Sequence, residues 1–177
     1  MPEKFDYINI GIDPAFSLKT VSDDIGVVVT GHLKIKVPHP EKPEKTMTKY
    51  KKFVLKVRAL SGEEKDQIAF ENVVIALYHN FNVRRIVIES NNGGETLARG
   101  LIRKGLAVDI VHATKDKVTR LKEHEGDLME GYIFFVEGET EGLIQELVEF
   151  TGEEGGQDNL VDAFVRSLKE KKAEIFV

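Results

Sequence analysis

Cysteine and tryptophan are absent from the 177 residues. Without cysteine there can be no disulfide, no thiolate zinc site and no thiol nucleophile. Histidine is scarce, five in all. No two histidines fall at an HxxxH-type spacing, so an imidazole-based metal site has no sequence signature here. No apolar run approaches the roughly 18 residues of a membrane span, and no signal-peptide apolar stretch opens the sequence. A soluble, non-secreted protein with no membrane partner is therefore expected. There is no internal repeat, no low-complexity tract and nothing resembling an interdomain linker. A GxxxxGK[ST] phosphate loop is missing as well, which excludes a P-loop ATPase within this stretch. Finally, positive charge is not in excess. Lys and Arg number 25 against 30 Asp and Glu, a net charge of -5, which argues against a surface coated with cations for nucleic acid.

What remains is an ordinary globular balance, 41% hydrophobic and 31% charged residues, at a length that suits one domain with a proper core. The charge is uneven. From Lys34 to Arg58 there are nine Lys or Arg and two Glu, a net of +7, which leaves -12 for the rest of the chain. Three prolines within Pro38–Pro43 mark a connection rather than strand interior, because proline lacks a backbone donor and fixes φ. This basic window reads as a solvated hairpin tip whose lysines block edge pairing, or as an arm that touches a phosphate backbone.

The hydrophobic periodicity is legible. Tyr7–Ile12, Ile25–Leu33 and Lys49–Leu60 read as strands. Ser61, followed by Glu63 and Glu64, is expected to open a helix that runs to about Asn82. Arg85–Glu89 is a short strand apolar enough to be buried on both faces. Glu95–Lys104 is a helix closed by Gly105, and Val108–Val111 a strand. Thr114 is expected to cap a helix reaching about Glu130, followed by a strand at Tyr132–Val136. Thr140–Phe150 is an amphipathic helix. Asp158 or Asn159 caps the last helix, to about Lys171. Three strands that can form an antiparallel meander, then alternating β and α units, predict an α/β fold: a mixed sheet of five or six strands, parallel after the first three, with helices on both faces.

Three carboxylates stand at element ends. Asp13 ends the first strand before Pro14, Glu89 ends the buried fourth strand, and Asp158 opens the last helix, with Asp162 one turn later on the same face. Each has a plain alternative: Asp13 as a turn residue, Asp158 as an N-cap. Glu89 is harder to explain that way, because a carboxylate on a buried strand is costly to desolvate unless paired or metal-bound. If the first and fourth strands are neighbours, Asp13 and Glu89 enter one crevice at the carboxyl ends of parallel strands. Crowded acids need cations, and hard oxygen donors favour Mg²⁺ or Mn²⁺. Lys115, Lys117 and Arg120 lie near a helix start at the same sheet edge and suit DNA phosphates; a solvated helix face paired with Asp116 and Glu123 is the alternative. Gly93-Gly94 would let backbone approach a phosphate or a neighbouring loop.

These segments, Ile10-Gly11-Ile12-Asp13-Pro14-Ala15 with Asp23–Gly31, Ile86–Gly94 and Gln157–Ala163, resemble the nuclease domain of the large terminase subunit of tailed bacteriophages. That domain has a ribonuclease H-like fold of the RuvC and integrase superfamily. The resemblance runs from about Phe5 to Lys169. It implies that Asp13, Glu89 and Asp158 are the metal ligands, with Asp13 bridging two ions and the other two holding one each. In many relatives the third motif carries paired acids; here the second is Asn159, which leaves Asp162 as a supporting or alternative ligand. The resemblance further implies an endonuclease that cuts concatemeric double-stranded DNA at the start and end of genome packaging, in the cytoplasm of the infected host. Its partners would be double-stranded DNA, a packaging ATPase domain in a longer chain from which this monomeric domain is excised, the portal protein and the small terminase subunit. A RuvC-type junction resolvase fits the opening motif as well. A non-catalytic module that binds DNA or a portal-like partner is the reading of another class.

Overall fold

The computed structural model describes residues 1–14, 24–91, 93–112, 114–152 and 158–170. Ala15 and Asp23 of the first motif, Asn92 of the second, Gln157 of the third and the expected helix end at Lys171 lie outside the described residues. β1 (Tyr7–Asp13), β2 (Ile25–His39) and β3 (Lys42–Leu60) form an antiparallel meander. Four helices and two strands come next: α1 (Gln67–Asn80), β4 (Arg85–Glu89), α2 (Gly94–Arg103), β5 (Val108–Val111), α3 (Lys117–Lys122) and α4 (Glu125–Met129). The chain closes with β6 (Ile133–Phe135), α5 (Glu141–Glu149) and α6 (Asn159–Ser167). The six strands are ordered β5-β4-β1-β2-β3-β6. β4 runs parallel to β1, β5 to β4, and β6 to β3 on the far edge. This is the expected mixed sheet, antiparallel first and then parallel.

Strand alternation sorts its residues to two cores. Ile10, Ile12, Val27 and Ile86 face α1 and α2 through Phe70, Val74, Leu97 and Leu101. Val28 and Val54 face α5 and α6 through Leu143, Leu160, Ala163 and Phe164. The sheet is thus covered on both faces.

Three local expectations change. Ser61 precedes only a 3-10 turn, and it is Asp66 that caps α1 by accepting from the amides of Ile68 and Ala69. Thr114 does not cap either: Asp116 accepts from the Thr119 amide, and the segment to Glu130 breaks into the short helices α3 and α4. An Asp at either start outcompetes the hydroxyl residue because its carboxylate also meets the positive helix end. The connection expected within Pro38–Pro43 is present, a turn at Pro40-Glu41, but both strands run into that window past Pro38 and Pro43. β2 and β3 stay paired through Pro38 to His39 and Lys42, with a register shift at the tip. The hairpin there has run past β1, whose last partner is His32. Its outer edges carry no further strand up to Lys52, so proline breaks no required ladder bond. This arm leaves the sheet at the end opposite Asp13, which pairs with Gly26. Ten residues of strand put Lys36 roughly 30 Å from that end. Lys49, Lys52, Lys56 and Arg58 are held by Glu130, Asp127, Glu139 and Glu64. Lys34, Lys36, Lys42 and Lys45 have no ion pair among the described residues.

α6 lies in direct contact with the backbone of the sheet. A Cβ on Gly11 would collide with the Ala163 carbonyl and the Ser167 amide, and one on Gly26 with the Asn159 carbonyl. Glycine at both positions lets the helix backbone rest on β1 and β2. The last carbonyls of α6 are satisfied by the sheet. Asn9 donates to the Ser167 and Lys169 carbonyls, His32 Nε2 lies 3.0 Å from the Ser167 carbonyl, and Arg85 donates to those of Lys169 and Glu170. These contacts answer the unsatisfied acceptors of a helix end.

His32 is consequently held neutral, its Nε2–H donating to Ser167. Its Nδ1, the acceptor nitrogen of this tautomer, is buried with no donor to it, and burial pushes the imidazole down to about 4. The unfolded chain takes up this proton near pH 6.5 and the folded chain refuses it, so stability is full above pH 6.5 and falls as pH drops toward 4. The expected loss by pH 4.5 is about 2–3 kcal/mol. Urea midpoints at pH 7.5 and 4.5 measure it. A His32→Gln variant with the same acid sensitivity as the native chain would exclude His32 as the source.

Candidate active site

β1 and β4 are adjacent and parallel, with Ile12 opposite Ile88. The next residues on each strand are Asp13 and Glu89. Both lie at carboxyl ends, where the chain turns away and leaves a crevice. Glu89 is 9% exposed. Its position is fixed from two sides: Asn91 donates to it at 2.9 Å, and Gly94 packs so closely on the Glu89 backbone that a Cβ there would strike its carbonyl. Gly94 therefore serves approach to a neighbouring loop.

α6 lays Asp158, Asp162 and Arg166 across this crevice at intervals of one turn. Asp158 stands at the N-cap position, yet its side chain makes no capping bond. Glu146 of α5 does that work, accepting from the Leu160 and Val161 amides at 2.9 and 3.3 Å. The Asp158 carboxylate is left to others. Lys117 donates to both of its oxygens at 2.7 Å and lies 3.3 Å from Asp162. Arg120 reaches Asp162 at 2.9 Å and Glu89 at 3.5 Å. Arg166 bonds Glu89 and lies 3.4 Å from Asp13 and 3.7 Å from Asp162. Four carboxylates and three cations thus form one network.

Burial dominates its electrostatics. It pushes Asp13 up to about 6; Arg166 opposes the shift, while Asp162 and Asp158 add to it. The Asp162 carboxyl is raised for the same first reason, against the pull of Arg120 and Lys117. Burial also lowers Arg166, so it outweighs mutual attraction on both sides of the Asp13–Arg166 pair. At Lys117 burial works against the charge, but the bond to Asp158 and the nearness of Asp162 prevail and raise it.

Of the residues singled out from sequence, Asp13, Glu89, Asp158 and Asp162 meet in this network, together with Lys117 and Arg120. Among the described residues, Lys115 makes no ion pair with these acids; it pairs with Glu123, and both line the cleft beside Glu89 and Arg120. Arg166 and Glu146 escaped sequence reasoning. Arg166 had a signal, since it follows Asp162 by four residues on one helix face. Glu146 had none, because its partner amides are distant in sequence. His112 lies 2.7 Å from the Ser90 hydroxyl. With Lys52, Glu89, Arg120, His124 and Arg166 it lines the same open cleft of about 530 Å³.

The sequence model of the family described as "Terminase RNaseH-like domain" matches residues 10–171. The chain belongs to the terminase RNase H-like domain family. It is thereby placed in the RNase H-like nuclease superfamily. Two solved structures similar to this terminase domain are a Thermus thermophilus RuvC, at 13% identity and a TM-score of 0.47 over 90% of both chains, and a T. thermophilus RuvC in complex with a Holliday junction substrate, at 11% identity and 0.44 over 91% of this chain and 90% of that one. No curated protein sequence matches.

Nucleases of this superfamily use divalent metals, and the donor chemistry here fits: four hard carboxylates, with no imidazole bonded to them. The raised Asp13 carboxyl is a negative charge that its surroundings compensate only in part. Among the described residues, no three Asp, Glu or His side chains gather closely enough to hold an ion in this arrangement. Lys117, Arg120 and Arg166 lie between them instead.

Proposed function

We propose that this terminase domain is a divalent-metal-dependent endonuclease that cuts concatemeric double-stranded viral DNA when packaging starts and ends. The observation that carries this reading is the convergence of Asp13, Glu89, Asp158 and Asp162 from β1, β4 and α6 on one crevice. Asp13, Glu89 and Asp158 would hold Mg²⁺ or Mn²⁺, two ions in all, with Asp162 as a supporting ligand. Held there, such ions would supply an activated water and stabilisation of the leaving 3′-oxygen. The chain's own residues do the rest. β1 and β4 fix Asp13 and Glu89 on rigid strand ends, and α6 carries Asp158 and Asp162 over them. Lys117 and Arg120, relieved of the carboxylates when ions bind, would meet the phosphates beside the scissile bond, and Lys115 would extend that surface. In the host cytoplasm, a packaging ATPase domain, portal protein and small terminase subunit would hold and present the DNA.

The test is cleavage of circular and linear duplex DNA with Mg²⁺, with Mn²⁺ and with EDTA. Nicking and linearisation with either ion and none with EDTA are expected. Replacing Lys117 and Arg120 by Gln should reduce the slope of log affinity against log salt by about 2. Binding without metal-supported cleavage would leave a non-catalytic module. A four-way junction cut far faster than linear duplex would point to a resolvase.

A further inference from the structure

Arg166 is a buried cation at the centre of the acidic network. It is 5% exposed, sits in the last turn of α6, and its guanidinium faces three acids from three elements: Asp13 of β1, Glu89 of β4 and Asp162 of its own helix. Only Nη2 is hydrogen bonded. Nε and Nη1 are buried with no acceptor, a costly state for a charged donor. Such a cation is held by charge rather than by a full set of hydrogen bonds. It rides on the same glycine-backed helix that carries Asp158 and Asp162.

We propose that Arg166 is a resident countercharge that stands in for a divalent ion between Asp13 and Glu89, so that metal binding to this site is an exchange of ion against guanidinium. This rests on the metal-dependent reading of the site. A doubly charged ion held by Asp13 and Glu89 would share those carboxylates with the guanidinium that touches both of them, and like charges so close together repel. Arg166 therefore holds the acids together while no ion is present and weakens the site's grip on one. It acts as a positioning residue that keeps an ion-free domain folded and sets the metal concentration at which the site fills.

The experiment measures Mn²⁺ binding to the 177-residue chain by electron paramagnetic resonance and titration calorimetry, without DNA. Native chain is compared with Arg166→Gln and Arg166→Lys, with circular dichroism confirming the fold. Arg166→Gln should bind Mn²⁺ at least tenfold more tightly and melt at a lower temperature without the ion, the two melting curves converging at saturating Mn²⁺. Arg166→Lys keeps the charge and should stay near native affinity. Unchanged or weaker binding by a folded Arg166→Gln variant overturns the proposal, as does a Lys variant that binds as tightly as the Gln variant. If Arg166→Gln does not fold, Arg166→Met at saturating Mn²⁺ gives the same reading: an ion-dependent rise in melting temperature above native supports the exchange, and no rise overturns it. Absence of Mn²⁺ binding in every variant, native included, would instead remove the metal-dependent reading itself.

Discussion

Asp13→Asn leaves a folded domain that nicks plasmid DNA at least about 100-fold more slowly than the native chain with either Mg²⁺ or Mn²⁺. The magnitude is a lower bound, since losing even an outer partner of a metal ligand typically costs about 10–100-fold. Asn keeps the shape and one acceptor oxygen but removes the charge an ion would need. The fold should tolerate it because burial already pushes Asp13 up to about 6, so the surroundings favour an uncharged side chain there. Melting curves should agree within a few degrees. Full cleavage by the Asn variant would remove Asp13 from the reaction, and a collapsed melting temperature would make it a structural residue.

The second large effect comes from a residue with no side chain. Gly11→Ala places a methyl group against the Ala163 carbonyl and the Ser167 amide, both backbone atoms of α6. No rotamer change can relieve that contact, so the helix must lift. Overpacking of this kind costs about 3 kcal/mol or more, which lowers the melting temperature of a domain this size by roughly 6–12 °C. Because α6 carries Asp158, Asp162 and Arg166, cleavage should fall together with stability. Gly126→Ala is the control. Nothing lies within 4 Å of a Cβ there, and alanine favours the helix α4. Differential scanning calorimetry decides: a Gly11→Ala variant melting within about 2 °C of native, well under the expected shift, would mean that α6 does not depend on this close approach.

The family, the order of strands and helices and the candidate acids were all legible in the sequence, for definite physical reasons. Burial of a strand on one or two faces leaves a period in the apolar residues, as at Arg85–Glu89, and a carboxylate at the end of such a strand stands out because it is expensive to bury. Helix starts were less legible. Ser61 and Thr114 looked like caps, but Asp66 and Asp116 hold those positions, since several capping residues stood close together and only local geometry chooses among them. The prolines within Pro38–Pro43 marked the connection between β2 and β3, whose turn falls at Pro40-Glu41, but the strands run further into that window than prolines suggest, because whether a strand edge needs its donors depends on what lies beside it.

What the sequence determined by itself is thus the set of elements and the chemical character of the cluster: hard acids, no thiol, little imidazole. What only the tertiary structure decided is who meets whom. Asp158 is freed from its own helix end because Glu146 arrives from α5. Arg166 faces Asp13 and Glu89 because Gly11 and Gly26 let α6 rest on the sheet. The tip of the basic window lies at the far end of β2 from the acids because an antiparallel hairpin carries its turn away from the carboxyl end of β1. Contacts between residues far apart in the chain leave no local period or spacing, so chain packing alone can set them.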